Sequence, residues 1–216
     1  MIRDLQQLLL GIYDLDLAED VRDYLITDRN WLGLDSDDSR EFCGEQLFVE
    51  ERDGELGLAL FLDPAVVGRL APLQLSAGFS SGSTADLLLA LEGVSHFNYV
   101  AWNAARDKAV TLLELELQAE IDKFVTAGSL PGADSEAARR RLLDQLFDAP
   151  GFDPALAPAA RDRYADANRL AARYCRSLSC RYPAGRPRAG MLRELRQFYR
   201  WPQPAKLSHI QMAATG

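Results

Sequence analysis

The chain is poor in the residue types that most often carry chemistry. Its 216 residues include two histidines (His96 and His209), three cysteines and three lysines. Cys43 stands alone, and Cys175 and Cys180 are five apart on one predicted helix. Helical neighbours recur at three or four residues, so those two thiols point in different directions. Without CxxC spacing, neither a disulfide framework nor a zinc cluster is expected. The thiols are expected to be buried or half-buried.

Long apolar runs are missing too. None approaches the roughly 18–20 residues that span a bilayer, so no membrane span is expected. The opening "MIRDLQQLLLGIYDLD" has a short apolar core with acids on both sides. It lacks a basic leader and a small-residue cleavage site, and so does not read as a signal peptide. The expected compartment is the cytoplasm. There is no G-K-[ST], which excludes a Walker A phosphate loop. "GFSSG" over 78–82 matches G-x-S-x-G formally, with Ser80 in the nucleophile position. That motif works on a strand-to-helix elbow in a parallel sheet, and the chain lacks the βαβ alternation that would build one.

What is present is ordinary globular material, 48% apolar and 26% charged. The net charge of −8 conceals an asymmetry. From residue 161 onward there are 12 basic residues and 3 acids, against 12 basic residues and 29 acids in 1–160. Such asymmetry marks either a nucleic-acid or partner surface, or two parts that dock on each other. An acidic protein needs no outside partner for the second, which is the expectation here. Arginine outnumbers lysine 21 to 3, which is taken as composition bias.

Residues 2–13 place Ile2, Leu5, Leu8, Leu9 and Ile12 at helical spacing. A second helix is predicted over 17–28, with Asp16 as cap. "QLFVEERDGELGLALFLD" reads as a hairpin, because Asp53-Gly54 supplies the positive φ of a tight turn. Asp63-Pro64 ends its second strand and starts a short helix through Leu70. A helix capped by Ser83 or Thr84 is expected to close at Gly93. "HFNYVAWNA" is aromatic and β-branched, and is predicted to be a third strand over 96–104. Thr111 and Glu114 form a capping box for a helix over 112–125. Further helices are predicted over 135–147, 158–180 and 190–200, the last stopped by "WPQP".

The fold expected is therefore α+β. A small antiparallel sheet (46–52, 55–62, 96–104) is flanked by helices, with a mostly helical region over 134–210 packed on an α+β region over 1–126.

On the helix 112–125, Glu116, Glu120 and Lys123 fall between two apolar stripes, while Glu114, Gln118 and Asp122 lie opposite. Acids at i and i+4 in a crevice can hold a metal or share a proton, and His96 would complete such a site. A structural reading instead pairs Glu116 and Glu120 with Lys123 and nearby arginines. Two arginine stripes follow, Arg169, Arg173 and Arg176, then Arg193, Arg196 and Arg200, interleaved with Tyr164, Tyr174, Tyr182, Tyr199 and Trp201. They suit either docking on acidic surface or phosphate contact with base stacking. His96 and His209, taken as lone histidines, are each expected to be hydrogen-bonded structural residues rather than ligands or bases.

With no coherent nucleophile, metal or phosphate motif, the chain reads as a non-enzymatic interaction or adaptor protein. Its expected partner is another protein or a second copy in a homodimer. The first alternative is a small enzyme with an acidic, metal-dependent site at Glu116, Glu120 and His96. The second is nucleic-acid binding by the arginine face. No particular cofactor is indicated.

Overall fold

A computed structural model describes residues 1–32, 44–75, 84–131, 135–148, 151, 156–185 and 188–212. Cys43 and the G-x-S-x-G serine Ser80 lie outside the described residues, as do parts of the predicted loops.

The first helix, α1 (Ile2–Tyr13), buries Ile2, Leu5, Leu9, Ile12 and Tyr13 along one side, as its spacing predicts. It ends at Asp14, whose backbone is left-handed. No helix follows over 17–28. Asp20 caps a single 3-10 turn, Val21–Tyr24, and Leu25–Ile26 then forms a short strand, β1. The reason is a competing set of partners. The Gln6 side chain donates to Glu19 O and accepts from Val21 N. It also donates to Asn98, so one amide ties the extended segment to two helices.

The hairpin forms as expected. β2 (Glu45–Arg52) and β3 (Glu55–Leu62) pair antiparallel, and both Asp53 and Gly54 have positive φ. The third strand is not 96–104 but β1, which pairs parallel with Leu60–Phe61, giving a mixed sheet of order β1-β3-β2. Asp63 caps α2 (Pro64–Leu70), with Pro64 in its first turn.

The largest departure from the sequence reading is α3. It runs unbroken over Thr84–Ala104, so the expected stop at Gly93 and the expected strand beyond it are both wrong. Every residue from Gly93 to Asn103 is buried. A helix enclosed all round loses the one-sided stripe that identifies it, and its aromatic, β-branched residues then imitate a strand. Gly93 is a packing position instead. A Cβ there would lie 2.8 Å from Leu60 Cδ1 and 2.8 Å from Glu45 Cγ, where the sheet crosses the helix.

The capping box at Thr111 and Glu114 is formed and starts α4 (Leu112–Ala127), which lies against α3. Then come α5 (Glu136–Phe147), capped by Ser135, α6 (Pro158–Arg181), α7 (Ala189–Arg200) and α8 (Gln203–Met212). "WPQP" does stop α7, but a further helix begins at once. The buried apolar cluster is continuous from α1 and the sheet through α3 and α4 to α6, α7 and α8. The α+β class with a mostly helical C-terminal region is as expected. No helix among the described residues is long and apolar enough to cross a membrane.

Candidate metal centre

The two faces of α4 carry different polar clusters. One face holds Glu116, Glu120 and Lys123, and meets Glu92 and His96 of α3, Glu45 of β2 and Arg163 and Asn168 of α6. Glu92 and His96 are four residues apart, one helical turn, and so lie on the same face of α3. One ligand atom each from Glu92, His96 and Glu116 lies within 4.8 Å of the others. Donors bound to one ion at about 2.0–2.2 Å stand no more than about 4.4 Å apart, so these three lie at or near the spacing a single ion needs.

The imidazole of His96 is 7% exposed and sits between two carboxylates. Its Nδ1 is 3.5 Å from Glu45 Oε1, and its Nε2 is 3.5 Å from Glu116 Oε2. Neither contact closes into a formed hydrogen bond, since His96 Nε2 and Glu45 Oε1 are both buried without a partner. Leaving a buried polar atom unmade costs about 1–3 kcal/mol, so one ring nitrogen and one carboxylate oxygen left so, side by side, need a cause. Glu92 and Glu120 are well supplied. Lys123 Nζ is 2.7 Å from Glu92 and 2.8 Å from Glu120, and Asn168 donates to Glu120. Arg163 Nε lies 3.5 Å from Glu116 but, like His96 Nε2, is buried without a formed hydrogen bond.

These surroundings displace the titrations. Burial would pull the His96 imidazole's pKa down, but the carboxylates of Glu116 and Glu45 outweigh it and hold it well above its ordinary value. Burial pushes Glu45 up. Burial also opposes the charge on Glu92, but Lys123 and His96 together hold its pKa below the usual range. Lys123 is held above its ordinary value by Glu92 and Glu120, against the cost of burial.

On the opposite face of α4 the charged groups are each supplied with partners, although Thr126 Oγ1 and Tyr199 Oη are buried without one. Asp122 accepts from Tyr13 Oη, from Ser95 Oγ at 2.6 Å and from Gln118 Nε2 at 2.8 Å. Burial still raises its pKa to about 6. The fully buried Lys206 of α8 donates to Tyr99 Oη at 2.6 Å, beneath the rings of Tyr99, Phe198 and Tyr199. Burial lowers its pKa to about 7.

The structure thus brings together His96 and Glu116, two of the three acid-site candidates. Glu120 turns instead to Lys123 and Asn168, and Glu92 takes its place near the imidazole. Glu92 and Glu45 were missed in the sequence. The i, i+4 spacing of Glu92 and His96 was available as a signal, but only if α3 is read through Gly93.

The arginines divide. Arg169 pairs with Asp166 on its own helix at 2.8 Å, and Arg176 with Asp148. Arg173 and Arg193 are exposed. Arg196 donates to Ile12 O and Gly11 O, and Arg200 to Tyr13 O and Asp14 O, so both cap the carboxyl end of α1. A groove of about 610 Å³ beside them is lined by Asp14, Arg193, Arg196, Gln197 and Arg200 among others. Of the aromatics, Tyr199 is buried, tilted against Tyr13 and edge-on to Trp102. His209 lies 3.3 Å from Glu194 and beside Trp201. Cys175 is buried and Cys180 exposed, both as free thiols.

Comparison with protein-family models, with curated proteins and with solved structures finds no match.

Proposed function

We propose that the chain binds a divalent first-row transition metal through Glu92, His96 and Glu116. The observation that carries this reading is the unpartnered Nε2 of His96, buried and aimed at Glu116 within a three-donor cluster. Because the His96 pKa is raised, an ion bound there must displace a proton from the ring. With that proton lost, the four carboxylates of Glu45, Glu92, Glu116 and Glu120 face Lys123 and Arg163, which leaves two negative charges for one divalent ion. Imidazole with carboxylates suits zinc, iron or manganese better than magnesium or calcium, which prefer all-oxygen sites. Three protein ligands leave a position for water or substrate, and a metal so held lowers the pKa of that water and polarises an oxygen bound beside it. The chain's own part is to exclude water and to hold the donors, Lys123 fixing Glu92 and Arg163 fixing Glu116.

The test is metal analysis of the purified chain and titration with Zn²⁺ and Mn²⁺. Stoichiometric binding is expected, lost in His96→Ala and in Glu116→Gln while the helical circular dichroism is kept. The competing reading is a metal-free cluster in which a protonated His96 bridges Glu45 and Glu116. It predicts no stoichiometric binding by the wild type.

A second reading, self-association, is favoured by the hairpin. Among the described residues β2 has a strand neighbour on one edge alone, and Val49 and Leu56 are exposed on one face near the turn. Pairing of two β2 edges would form a homodimer. Light scattering on the wild type and on Val49→Lys/Leu56→Lys tests it, with a dimer expected in the first and a monomer in the second.

A further inference from the structure

Resting on the metal reading above, we propose that Glu45 is the positioning residue of the centre. When metal binds, it closes on His96 Nδ1, 3.5 Å away in the structure, and holds the ring so that Nε2 faces Glu92 and Glu116.

Three observations carry this. First, Glu45 meets the ring nitrogen that Glu116 does not. Its Oε1 lies 3.5 Å from Nδ1, and its side chain is as buried as the imidazole. Second, Glu45 is dedicated to that ring. Glu92 and Glu120 share Lys123, and Glu116 has Arg163, but among the described residues His96 is the ionic partner of Glu45. A buried carboxylate serving one imidazole is the arrangement that fixes tautomer and ring orientation in metal-ligating histidines.

Third, α3 is hollowed to admit it. Gly93 lies between Glu92 and His96, and a Cβ there would sit 2.8 Å from Glu45 Cγ and 3.0 Å from Glu45 Oε1. Glycine inside a helix is destabilising relative to alanine. Here it lets the first residue of β2 cross the helix within one turn of two of the proposed ligands. The hairpin root thereby contributes a residue that no spacing along α3 or α4 could supply.

The experiment is titration of the full chain with Co²⁺, reading both affinity and the visible ligand-field bands, for wild type, Glu45→Gln and Glu45→Ala. Glutamine keeps an acceptor for Nδ1–H and nearly the same shape, while alanine keeps neither. Binding about 100-fold weaker in Glu45→Ala and about 10-fold weaker in Glu45→Gln, with shifted bands in the alanine variant, is the expected result. Wild-type affinity and bands in both variants, even with a lower melting temperature, would overturn the positioning role and leave the metal site standing. Absence of Co²⁺ binding by the wild type would overturn the metal reading, and the role of Glu45 with it. If Glu45→Ala does not fold, the near-isosteric Glu45→Gln decides alone. Unchanged affinity and bands there refute the proposal.

Discussion

The two faces of α4 handle the same problem, carboxylates and a lysine out of water, in opposite ways. On the face toward α1 and α8, Asp122 has three donors and Lys206 a phenol and three rings. On the face toward the hairpin and α6, charges are plentiful, yet His96 Nε2 and Glu45 Oε1 have no formed hydrogen bond. Both faces leave some polar atoms unpartnered, Thr126 Oγ1 and Tyr199 Oη on the first. Only on the hairpin side do they include an imidazole nitrogen and a carboxylate oxygen, atom types that ligate metals, and the metal proposal rests on that difference, more than on the number of acids.

The largest effect should come from metal itself. A ligand present at about 1,000 times its Kd stabilises the folded state by about 4 kcal/mol. That gain in melting experiments should survive in Asp122→Ala and vanish in His96→Ala. If Asp122→Ala abolishes it as well, the two faces are not independent.

Asp122→Ala is next. It strips the acceptor from Tyr13, Ser95 and Gln118, and should cost about 3 kcal/mol at pH 5 by denaturant unfolding. The folded pKa of Asp122, about 6, lies above its ordinary value of 3.8. The folded state therefore holds the extra proton between those values, and the stability this confers fades as pH rises through 6. The loss in the variant should be smaller at pH 8 than at pH 5.

Lys206→Met should act in the other direction. The folded pKa of Lys206 is lowered from 10.5 to about 7, so the unfolded state holds more protons between those values and wild-type stability rises with pH there. Replacing the buried ammonium with an apolar chain of similar volume should stabilise by about 2 kcal/mol at pH 6, with the gain vanishing toward pH 10. A destabilised variant at pH 6 would mean that the Tyr99 hydrogen bond outweighs the burial cost.

The smallest effect concerns the clamp that presents Tyr13 to Asp122. Arg196 and Arg200 cap the last carbonyls of α1, where cations oppose the helix dipole. Arg200→Ala should cost about 1 kcal/mol and speed amide exchange in the last turn of α1, leaving metal affinity unchanged.

Local chemistry made much of the fold legible. Asp53-Gly54 allows one kind of turn, and Thr111 with Glu114 satisfies two backbone donors at a helix start, so both are readable from a few residues. The face assignment on α4 was equally readable, since 100° per residue separates Glu116 and Glu120 from Gln118 and Asp122. α3 was not, because its enclosure removes the stripe that marks a helix, and Gly93 looks like a terminus when its partner, the sheet, is out of view. That one misreading concealed the centre. With the helix broken at Gly93, Glu92 and His96 fall on different elements and their one-turn spacing disappears. Glu45 was beyond local reading altogether, because it reaches His96 through the register of β2 on β3 and the crossing of the sheet over α3.

The most direct measurement is anomalous diffraction from crystals of the chain soaked in Zn²⁺ or Mn²⁺. The account predicts one dominant peak about 2.0–2.2 Å from His96 Nε2 and from a carboxylate oxygen of each of Glu92 and Glu116, with Nδ1 drawn in against Glu45. No peak at that position, with the imidazole still spanning Glu45 and Glu116, would contradict it.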